Sequence, residues 1–331
     1  MHREFLQHAK IEVPVICGAM YPCSNPELVA AVSEAGGIGI IQPISMSYVH
    51  GYELRQGIRF IRKLTQKPVG MNALIEQSSK RYHQRMVEWV DIALEEGVRF
   101  FVTSLGKPAW VVERVHAAGG FVYHDVTEPK WAIKGLEGGV DGLIAVNNRA
   151  GGHAGTNSME NLAKDLSEFN VPLIAAGGIS TVTDFNAALQ NGYQGVQLGT
   201  RFIATTECTA SDAYKQAIIN AAEDDVVLSE RLTGVPVSVI RTAYVDRTGT
   251  QAGGFARWLL SGQKTKHLMR MIYMLRSLHK LKGSLSSESN EVQYWQAGKS
   301  VAGINKVEPV AAIMKNFYQA FILKKKVKKE N

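Results

Sequence analysis

The sequence predicts an α/β fold: a closed (β/α)8 barrel, or TIM barrel, with a mostly helical insertion after the eighth strand. Short apolar runs recur along the chain with segments of helical periodicity between them, and their number matches the eight strands of such a barrel. This alternation stops after Phe202. A doubly wound sheet is the alternative, but no GxGxxG pattern follows the first apolar run.

The predicted strands are runs of about seven residues that are apolar at successive positions, and most are entered through glycine or proline. A run without alternation suits a strand that is buried on both faces, which favours parallel pairing. The eight runs are residues 14–20, 37–43, 68–74, 100–106, 120–126, 142–148, 172–178 and 195–201.

The segments between the runs carry helix signals, and residues 24–35 show them well. Ser24 or Asn25 can cap the helix, Pro26 suits the first turn, and Gly36 follows the last turn. Comparable helical segments are predicted over residues 157–169 and 181–189.

We divide the chain into four parts from these patterns. Residues 1–204 form the predicted barrel, and residues 205–291 form a helical insertion that could act as a lid over the substrate. Residues 292–323 include a helix predicted to return to the barrel, and residues 324–331 form a basic, frayed tail.

The insertion contains a basic segment, Lys264–Lys282, in which six lysines and arginines alternate with leucine, methionine and isoleucine. We expect a helix that packs its apolar side on the barrel and leaves the basic groups in water. Contact with a membrane surface or with an acidic carrier protein is the alternative.

Composition and charge indicate an ordinary globular protein of 331 residues, with 45% hydrophobic and 20% charged residues. Five lysines and one glutamate in residues 324–331 contribute +4 of the net charge of +7, so we expect no nucleic-acid partner. We expect no transmembrane segment and no signal peptide, and three scattered cysteines do not make a disulfide framework. The sequence therefore predicts a cytoplasmic protein and is compatible with a homodimer.

Glycine-rich segments follow the seventh and eighth strands, at the barrel end where active sites collect. They are residues 175–180 (AAGGIS) and 197–200 (QLGT). Exposed backbone N–H groups and a helix start at Ser180 or Thr181 would form a phosphate site there, unless these glycines only serve tight turns. Arg201 adds a cation to this site or faces the barrel interior or its helices.

The loop after the sixth strand, residues 147–155 (NNRAGGHAG), carries His153 behind two glycines. Glycines let the backbone approach a flat ligand, and they place this histidine on the rim rather than in a core. A neutral imidazole can accept a proton or donate a hydrogen bond near neutral pH. We therefore predict that His153 is catalytic.

Other chemistries fit the sequence less well. Three cysteines cannot supply an ordinary iron–sulfur cluster, and no spacing of histidines, cysteines or carboxylates indicates a metal. Cys17 lies inside the first strand and is expected to serve packing. Cys23 is nearer the rim and is kept as a weak candidate nucleophile.

Several motifs occur in the order found in nitronate monooxygenases, formerly called 2-nitropropane dioxygenases, and most of the chain resembles that family. The motifs are GAM at 18–20, MNAL around Asn72, AGGHAG around His153, VPLIAAGGIS at 171–180, GVQLGTRFIATTEC at 195–208 and VQYWQAGKSVAGI at 292–304. The wider superfamily includes flavin-dependent enoyl-acyl-carrier-protein reductases and NADH:quinone reductases.

The resemblance implies one non-covalently bound FMN and oxidation of an alkyl nitronate, followed by reaction with O2, to give a carbonyl compound and nitrite. His153 matches the active-site histidine of the family. The positions that match or lie close to the flavin are Ala19, Met20, Asn72, Gly151, Gly177, Gly178, Gln197, Gly199 and Thr200.

The chain departs from the family pattern at three positions. Val146 stands where a flavin-contacting glutamine is expected, Arg149 replaces an acid, and Asp125 stands where a relative has lysine. We expect Arg149 either to offset the charge of Asp125 or to bind an anionic substrate.

Two other functions are compatible with the sequence. One is an NAD(P)H-dependent flavin reductase that acts on a quinone or an enoyl thioester, which the basic segment Lys264–Lys282 mildly favours. The other is a barrel that binds a phosphate-bearing ligand without catalysis, against which His153 on the rim argues.

Overall fold

The computed structural model describes residues 4–76, 79–231, 234–251, 282 and 294–330. Eight parallel strands close into a barrel because β1 pairs with both β2 and β8, which confirms the predicted fold class. The strands are β1 (Val15–Cys17), β2 (Ile38–Ile41), β3 (Gly70–Leu74), β4 (Phe100–Ser104), β5 (Phe121–Val126), β6 (Gly142–Val146), β7 (Leu173–Ala176) and β8 (Gly195–Leu198).

Helices connect successive strands on the outside of the barrel, and those predicted from the three helical segments are present as α2, α7 and α8. A short helix, α1 (Glu4–Ala9), precedes β1. The connecting helices are α2 (Pro26–Glu34), α3 (Leu54–Leu64), α4 (Lys80–Glu95), α5 (Ala109–Ala117), α6 (Pro129–Glu137), α7 (Met159–Leu166) and α8 (Val182–Gln190), and α9 (Thr200–Ile203) follows β8.

The N-terminal end of the barrel is filled by Phe5 of α1. The ring centroid of Phe5 lies 6.1 Å from that of Phe100 and 5.7 Å from that of Tyr123. Gly195 leaves room for this ring, since a Cβ atom there would lie 2.7 Å from it. Side chains therefore fill the N-terminal end of the barrel. We expect the active site at the opposite, C-terminal end of the strands, as in other TIM barrels.

The insertion after β8 contains a strand pair as well as helices. Its described part holds α10 (Asp212–Asn220), β9 (Val226–Ser229), β10 (Val237–Ile240) and α11 (Ala243–Thr248), and β9 pairs with β10 in antiparallel register. The sequence analysis did not predict these strands, because four residues are too few to show alternation. The predicted basic helix over 264–282 lies outside the described residues except for Lys282, whose Nζ donates to the Tyr48 carbonyl oxygen at 2.8 Å.

The C-terminal part of the chain packs on the barrel through α12 (Val310–Glu330). The ring of Phe317 on this helix lies 5.3 Å from that of Phe185 on α8. This is the helix that the sequence analysis expected within residues 292–323, and it continues to Glu330 through most of the expected tail. Among the described helices, none is long and apolar enough to cross a bilayer.

Replacing Phe5 by alanine is expected to destabilise the barrel by about 3–5 kcal/mol, because it leaves a cavity among buried aromatic rings. Urea unfolding of the wild type and the variant measures this loss. Phe60→Ala is the matched control, since Phe60 is only partly buried and, among the described aromatic rings, stacks on Tyr52 alone. Equal losses in the two variants would contradict the role given to Phe5.

Candidate active site

The ends of β6 and β7 are joined by the side chain of Asn147, which is 1% exposed. Its Nδ2 donates to the carbonyl oxygen of Gly177 at 3.0 Å, and its Oδ1 accepts from the backbone N–H of Arg149 at 2.8 Å. Asn147 therefore sets the distance between the two loops. The sequence analysis did not assign it a role, although it stands first in the loop motif.

Gly177 and Gly178 have backbone φ angles of +114° and +73°, which favour glycine. A Cβ atom at Gly177 would lie 2.7 Å from the backbone nitrogen of Ala150, and one at Gly178 would lie 2.8 Å from the Cβ atom of Arg149. In the part of the chain that the structure describes, the backbone N–H groups of Gly177, Gly178 and Gly199 donate to no protein oxygen. These donors are available to an anion.

A segment near the C-terminus forms the back of this site. The backbone N–H of Gly298 donates to Thr200 Oγ1 at 2.9 Å, and that of Lys299 donates to the Arg149 carbonyl oxygen at 2.9 Å. A Cβ atom at Gly298 would lie 2.6 Å from the backbone nitrogen of Gly151. The sequence analysis used this segment for the resemblance only, because no local signal shows which loop it contacts.

Asn72 and Gln197 face the barrel interior near its C-terminal end. Asn72 is in register with the inward-facing Val102, and Gln197 is in register with the inward-facing Ile16. The Gln197 side chain lies against Gly18, where a Cβ atom would be 3.0 Å from its Cγ. The structure thus brings these two predicted residues into the same cavity wall.

Asp125 and Val146 belong to the same inner wall, since each lies two residues beyond an inward-facing side chain of its strand. Asp125 Oδ1 and Gln197 Oε1 are both buried and have no hydrogen-bond partner among the described residues. Burial raises the pKa of Asp125 to about 7, although the Gln197 side chain favours the ionised form. Val146 packs against the interior cluster and offers no hydrogen bond there.

Ala19 and Met20 follow β1 and lie at the same end. The Met20 N–H donates to Ser24 Oγ at 2.8 Å, and its carbonyl oxygen accepts from the Ser24 N–H at 2.8 Å. Its Sδ lies 3.5 Å from the position of a Cβ atom at Gly199. The backbone N–H of Met20 is therefore already bonded, and only the side chain of this residue can contact a ligand beside β8.

His153 lies on the loop that follows β6, and the insertion holds this loop in place. The backbone N–H of Ser238 on β10 donates to the Gly152 carbonyl oxygen at 2.8 Å. The His153 side chain is reached by solvent, yet the surrounding protein desolvates it enough to lower its pKa. Its ring is neutral at pH 7 and has no hydrogen-bond partner among the described residues.

Arg149 and Arg201 both have carboxylate partners. Arg149 Nη1 lies 2.6 Å from Glu223 Oε1, and Lys299 Nζ lies 3.6 Å from the same oxygen. Arg201 is 3% exposed and lies 2.8 Å from Glu308 Oε2. Arg201 therefore faces the C-terminal segment and adds no cation to the phosphate site. Arg149 is not among the groups that shift the pKa of Asp125, and its own charge is paired with Glu223.

The cysteines are not exposed nucleophiles. Cys23 is 1% exposed, its carbonyl oxygen accepts from Cys208 Sγ at 3.6 Å, and its pKa is raised by that neighbouring thiol and by burial. Cys17 is buried in the hydrophobic core, and burial raises its pKa too. Across the described ranges, no group of histidines, cysteines and carboxylates could hold a metal ion.

A separate cavity of about 560 Å³ lies between α10 and the start of α11. Its lining includes Ala217, Asn220, Arg241 and Trp295 but none of the predicted site residues. The loops at the C-terminal end of the barrel, rather than this cavity, hold the chemistry described above.

The barrel fold and the similarity to known proteins identify a flavin-dependent oxidoreductase of the TIM-barrel class. The chain belongs to the nitronate monooxygenase family, whose model matches residues 3–319. This confirms the resemblance described above and the expectation of a flavin-dependent enzyme.

Individual relatives differ in the reaction that their names give. The chain is 30% identical over 269 residues to (3aS,4S,5R,7aS)-5-hydroxy-7a-methyl-1-oxo-octahydro-1H-indene-4-carboxyl-CoA dehydrogenase of Mycobacterium tuberculosis, covering 80% of this chain and 73% of the relative. It is 27% identical over 303 residues to a probable nitronate monooxygenase of Staphylococcus saprophyticus, covering 78% and 84%. FabK from Thermotoga maritima has a similar structure, with a TM-score of 0.79, 27% identity and coverage of 99% and 98%.

The His153 ring is expected to titrate below pH 6.5 in the apoprotein, because it is desolvated and has no carboxylate partner. Proton NMR of the imidazole resonances between pH 5 and 8 measures this midpoint. The His153→Gln variant identifies the resonance by its loss. A midpoint at or above 6.5 would contradict the desolvated environment.

Proposed function

We propose that the protein is an FMN-dependent nitronate monooxygenase, which oxidises alkyl nitronates with O2 to carbonyl compounds and nitrite. The observation that carries this proposal is the position of His153, a neutral imidazole at the barrel mouth whose ring nitrogens have no hydrogen-bond partner among the described residues. Membership of the family and the similarity to a probable nitronate monooxygenase support the same reaction.

The residues present fit FMN. The unpaired N–H groups of Gly177, Gly178 and Gly199 suit a phosphate, and the inward-facing amides of Asn72 and Gln197 suit the polar edge of a flavin ring. The ring supplies the electron acceptor when it is bound. The remaining members of the proposed binding set are Ala19, Met20, Gly151 and Thr200.

His153 acts on the substrate in this proposal. A neutral imidazole carries one N–H donor and one nitrogen acceptor. The donor can hold an oxygen of the nitronate, which orients the anion and stabilises its charge, while the acceptor can take a proton from a neutral nitroalkane. Since the pKa of His153 is lowered, the acceptor is free at neutral pH.

Arg149 has a different role in this proposal from the one that the sequence suggested. Its ion pair with Glu223 argues against direct contact with an anionic substrate. We propose that it holds the loop after β6 against the insertion and so keeps His153 in position.

The second candidate is an oxidoreductase whose substrate is an acyl thioester or a quinone. When it works as a reductase, NAD(P)H is the reductant. The similarity to a CoA-ester dehydrogenase at 30% identity favours it. The same neutral imidazole could take the proton next to a thioester carbonyl. The basic segment that would meet an acidic carrier lies outside the described residues, except for Lys282.

Localisation in the cytoplasm belongs to this proposal, since the three cysteines are unpaired. The homodimer stays a prediction from the sequence.

The purified protein is expected to be yellow, and its flavin absorbance should bleach when an alkyl nitronate is added without O2. His153→Gln is expected to lower kcat/KM for the neutral nitroalkane by roughly 10²–10⁴-fold, because it removes the group that takes the proton, with the flavin content unchanged. Anaerobic spectra and nitrite release measure the two effects.

Three parallel additions separate the candidates: the nitronate, NADH or NADPH, and a saturated acyl-CoA. Bleaching by a pyridine nucleotide or the thioester, but not by the nitronate, would replace the first candidate by the second. A protein without flavin absorbance would contradict both.

Gly178→Ala is expected to lower the FMN content of the purified protein at least tenfold, because the new Cβ atom meets Arg149 and distorts the proposed phosphate site. Gly192→Ala is the matched control, since Gly192 has a φ of +94° but no atom within 4 Å of an added Cβ. FMN per folded protein, measured from absorbance and circular dichroism, should fall only in Gly178→Ala. Equal losses would point to backbone strain instead.

A further inference from the structure

We propose that Asp125 and Gln197 form a hydrogen-bonding pair for the flavin ring, in which the Asp125 carboxyl group is protonated and donates to an acceptor atom of the flavin. This inference rests on the proposed binding of FMN. It concerns residues at the C-terminal ends of β5 and β8, and it assigns a function to a carboxyl group that the family resemblance left unexplained.

The first argument is the position of the two side chains. Asp125 lies two residues beyond the inward-facing Tyr123, and Gln197 is in register with the inward-facing Ile16. The strands that carry them are not neighbours in the barrel. Both side chains nevertheless face the same interior, and the Gln197 side chain lowers the pKa of Asp125 from the value that burial alone gives it.

The second argument is the number of donors and acceptors. Asp125 Oδ1 and Gln197 Oε1 are buried and have no hydrogen-bond partner in the described part of the protein. A buried acceptor without a donor costs free energy. We therefore expect these two oxygens to be satisfied by donors of a bound ligand or by protonation of the carboxylate. A protonated carboxyl group offers one donor and keeps an acceptor, and the amide offers both as well. The pyrimidine edge of a flavin alternates acceptor atoms with an N–H donor, which such a pair can match.

The third argument is charge. Among the described residues, no charged side chain shifts the pKa of Asp125. The causes of its shift are burial, which raises the pKa, and the neutral Gln197, which lowers it. Arg149 is paired with Glu223, and the other side chains of the inner wall, Asn72 and Val146, are neutral. An ionised Asp125 would be an isolated buried anion beside an electron-accepting ring. Burial raises its pKa to about 7, which holds the carboxyl group protonated below neutral pH.

A proton that donates to the flavin makes flavin binding depend on pH. When the carboxyl group loses this proton, the donor becomes an anion and the bound flavin loses a hydrogen bond. Since one pKa unit corresponds to a factor of ten, a single linked proton weakens binding by up to about tenfold for each pH unit above 7.

The test compares FMN dissociation constants of the reconstituted protein between pH 6 and 9, measured by quenching of flavin fluorescence. The variants are Asp125→Asn, which has nearly the same shape and cannot ionise, and Asp165→Asn, a control at an exposed carboxylate on α7. FMN titrates its own phosphate in this range, and the ratio of wild-type to variant constants removes that effect. The wild-type dissociation constant divided by that of Asp125→Asn should rise above pH 7. The wild-type constant divided by that of Asp165→Asn should stay constant over the whole range.

A second readout needs no flavin. A carboxyl group whose pKa is raised on folding takes up a proton, so the stability it contributes falls as pH rises from about 4, its unfolded value, to about 7, its folded value. The Tm of the Asp125→Asn apoprotein minus that of the wild-type apoprotein should therefore rise over this interval and then level off. Gln197→Met should move the upper end of the interval to higher pH, because the amide favours the ionised carboxylate.

The outcomes separate this inference from the proposed function. A wild-type protein that binds FMN with a ratio independent of pH overturns the inference and leaves FMN binding in place. A wild-type protein that binds no FMN overturns the proposed function and the donation to flavin with it. A Tm difference that does not change between pH 4 and 7 overturns the protonated carboxyl group whether FMN binds or not.

Discussion

The site depends on the close approach of the loop after β6 to the end of β7. Asn147 bonds to both, and Gly177 and Gly178 permit the approach because neither has a Cβ atom that would meet the opposing backbone or Arg149. The unpaired N–H groups and the position of His153 both follow from this contact. A side chain at either glycine would separate the loops and remove both features at once.

Carboxylates that are distant in sequence pair with the two arginines around the mouth. Glu223 from the insertion pairs with Arg149, and Glu308 before α12 pairs with Arg201. The groups that we propose to act on a ligand are the imidazole of His153 and the carboxyl group of Asp125, and desolvation by the surrounding protein shifts the pKa of each toward its neutral form. A neutral site of this kind suits a substrate or cofactor that gains negative charge during the reaction.

Much of this architecture could be predicted from local patterns. Apolar runs with glycine or proline entries located the eight strands, and capping residues located α2, α7 and α8. The glycines after β7 and β8 were recognised as a phosphate site, and His153 as a catalytic residue, from local patterns, and both assignments stay predictions. The β9–β10 pair was missed, because strands of four residues show no period and their pairing depends on residues far along the chain. The roles of Asn147, Gly298 and Glu223 were missed for the same reason.

What local sequence determined is the barrel and the residues that stand at the C-terminal ends of its strands, since strand burial and glycine turns depend on neighbours a few positions away. The tertiary structure decided which of those residues are charged and which have partners. Arg149 looked like a free cation until Glu223 was placed beside it, and Asp125 looked like an anion until its burial without a cation was known. Protonation and pairing depend on the dielectric surroundings and on groups brought together by folding, so the sequence around a titratable residue does not determine them.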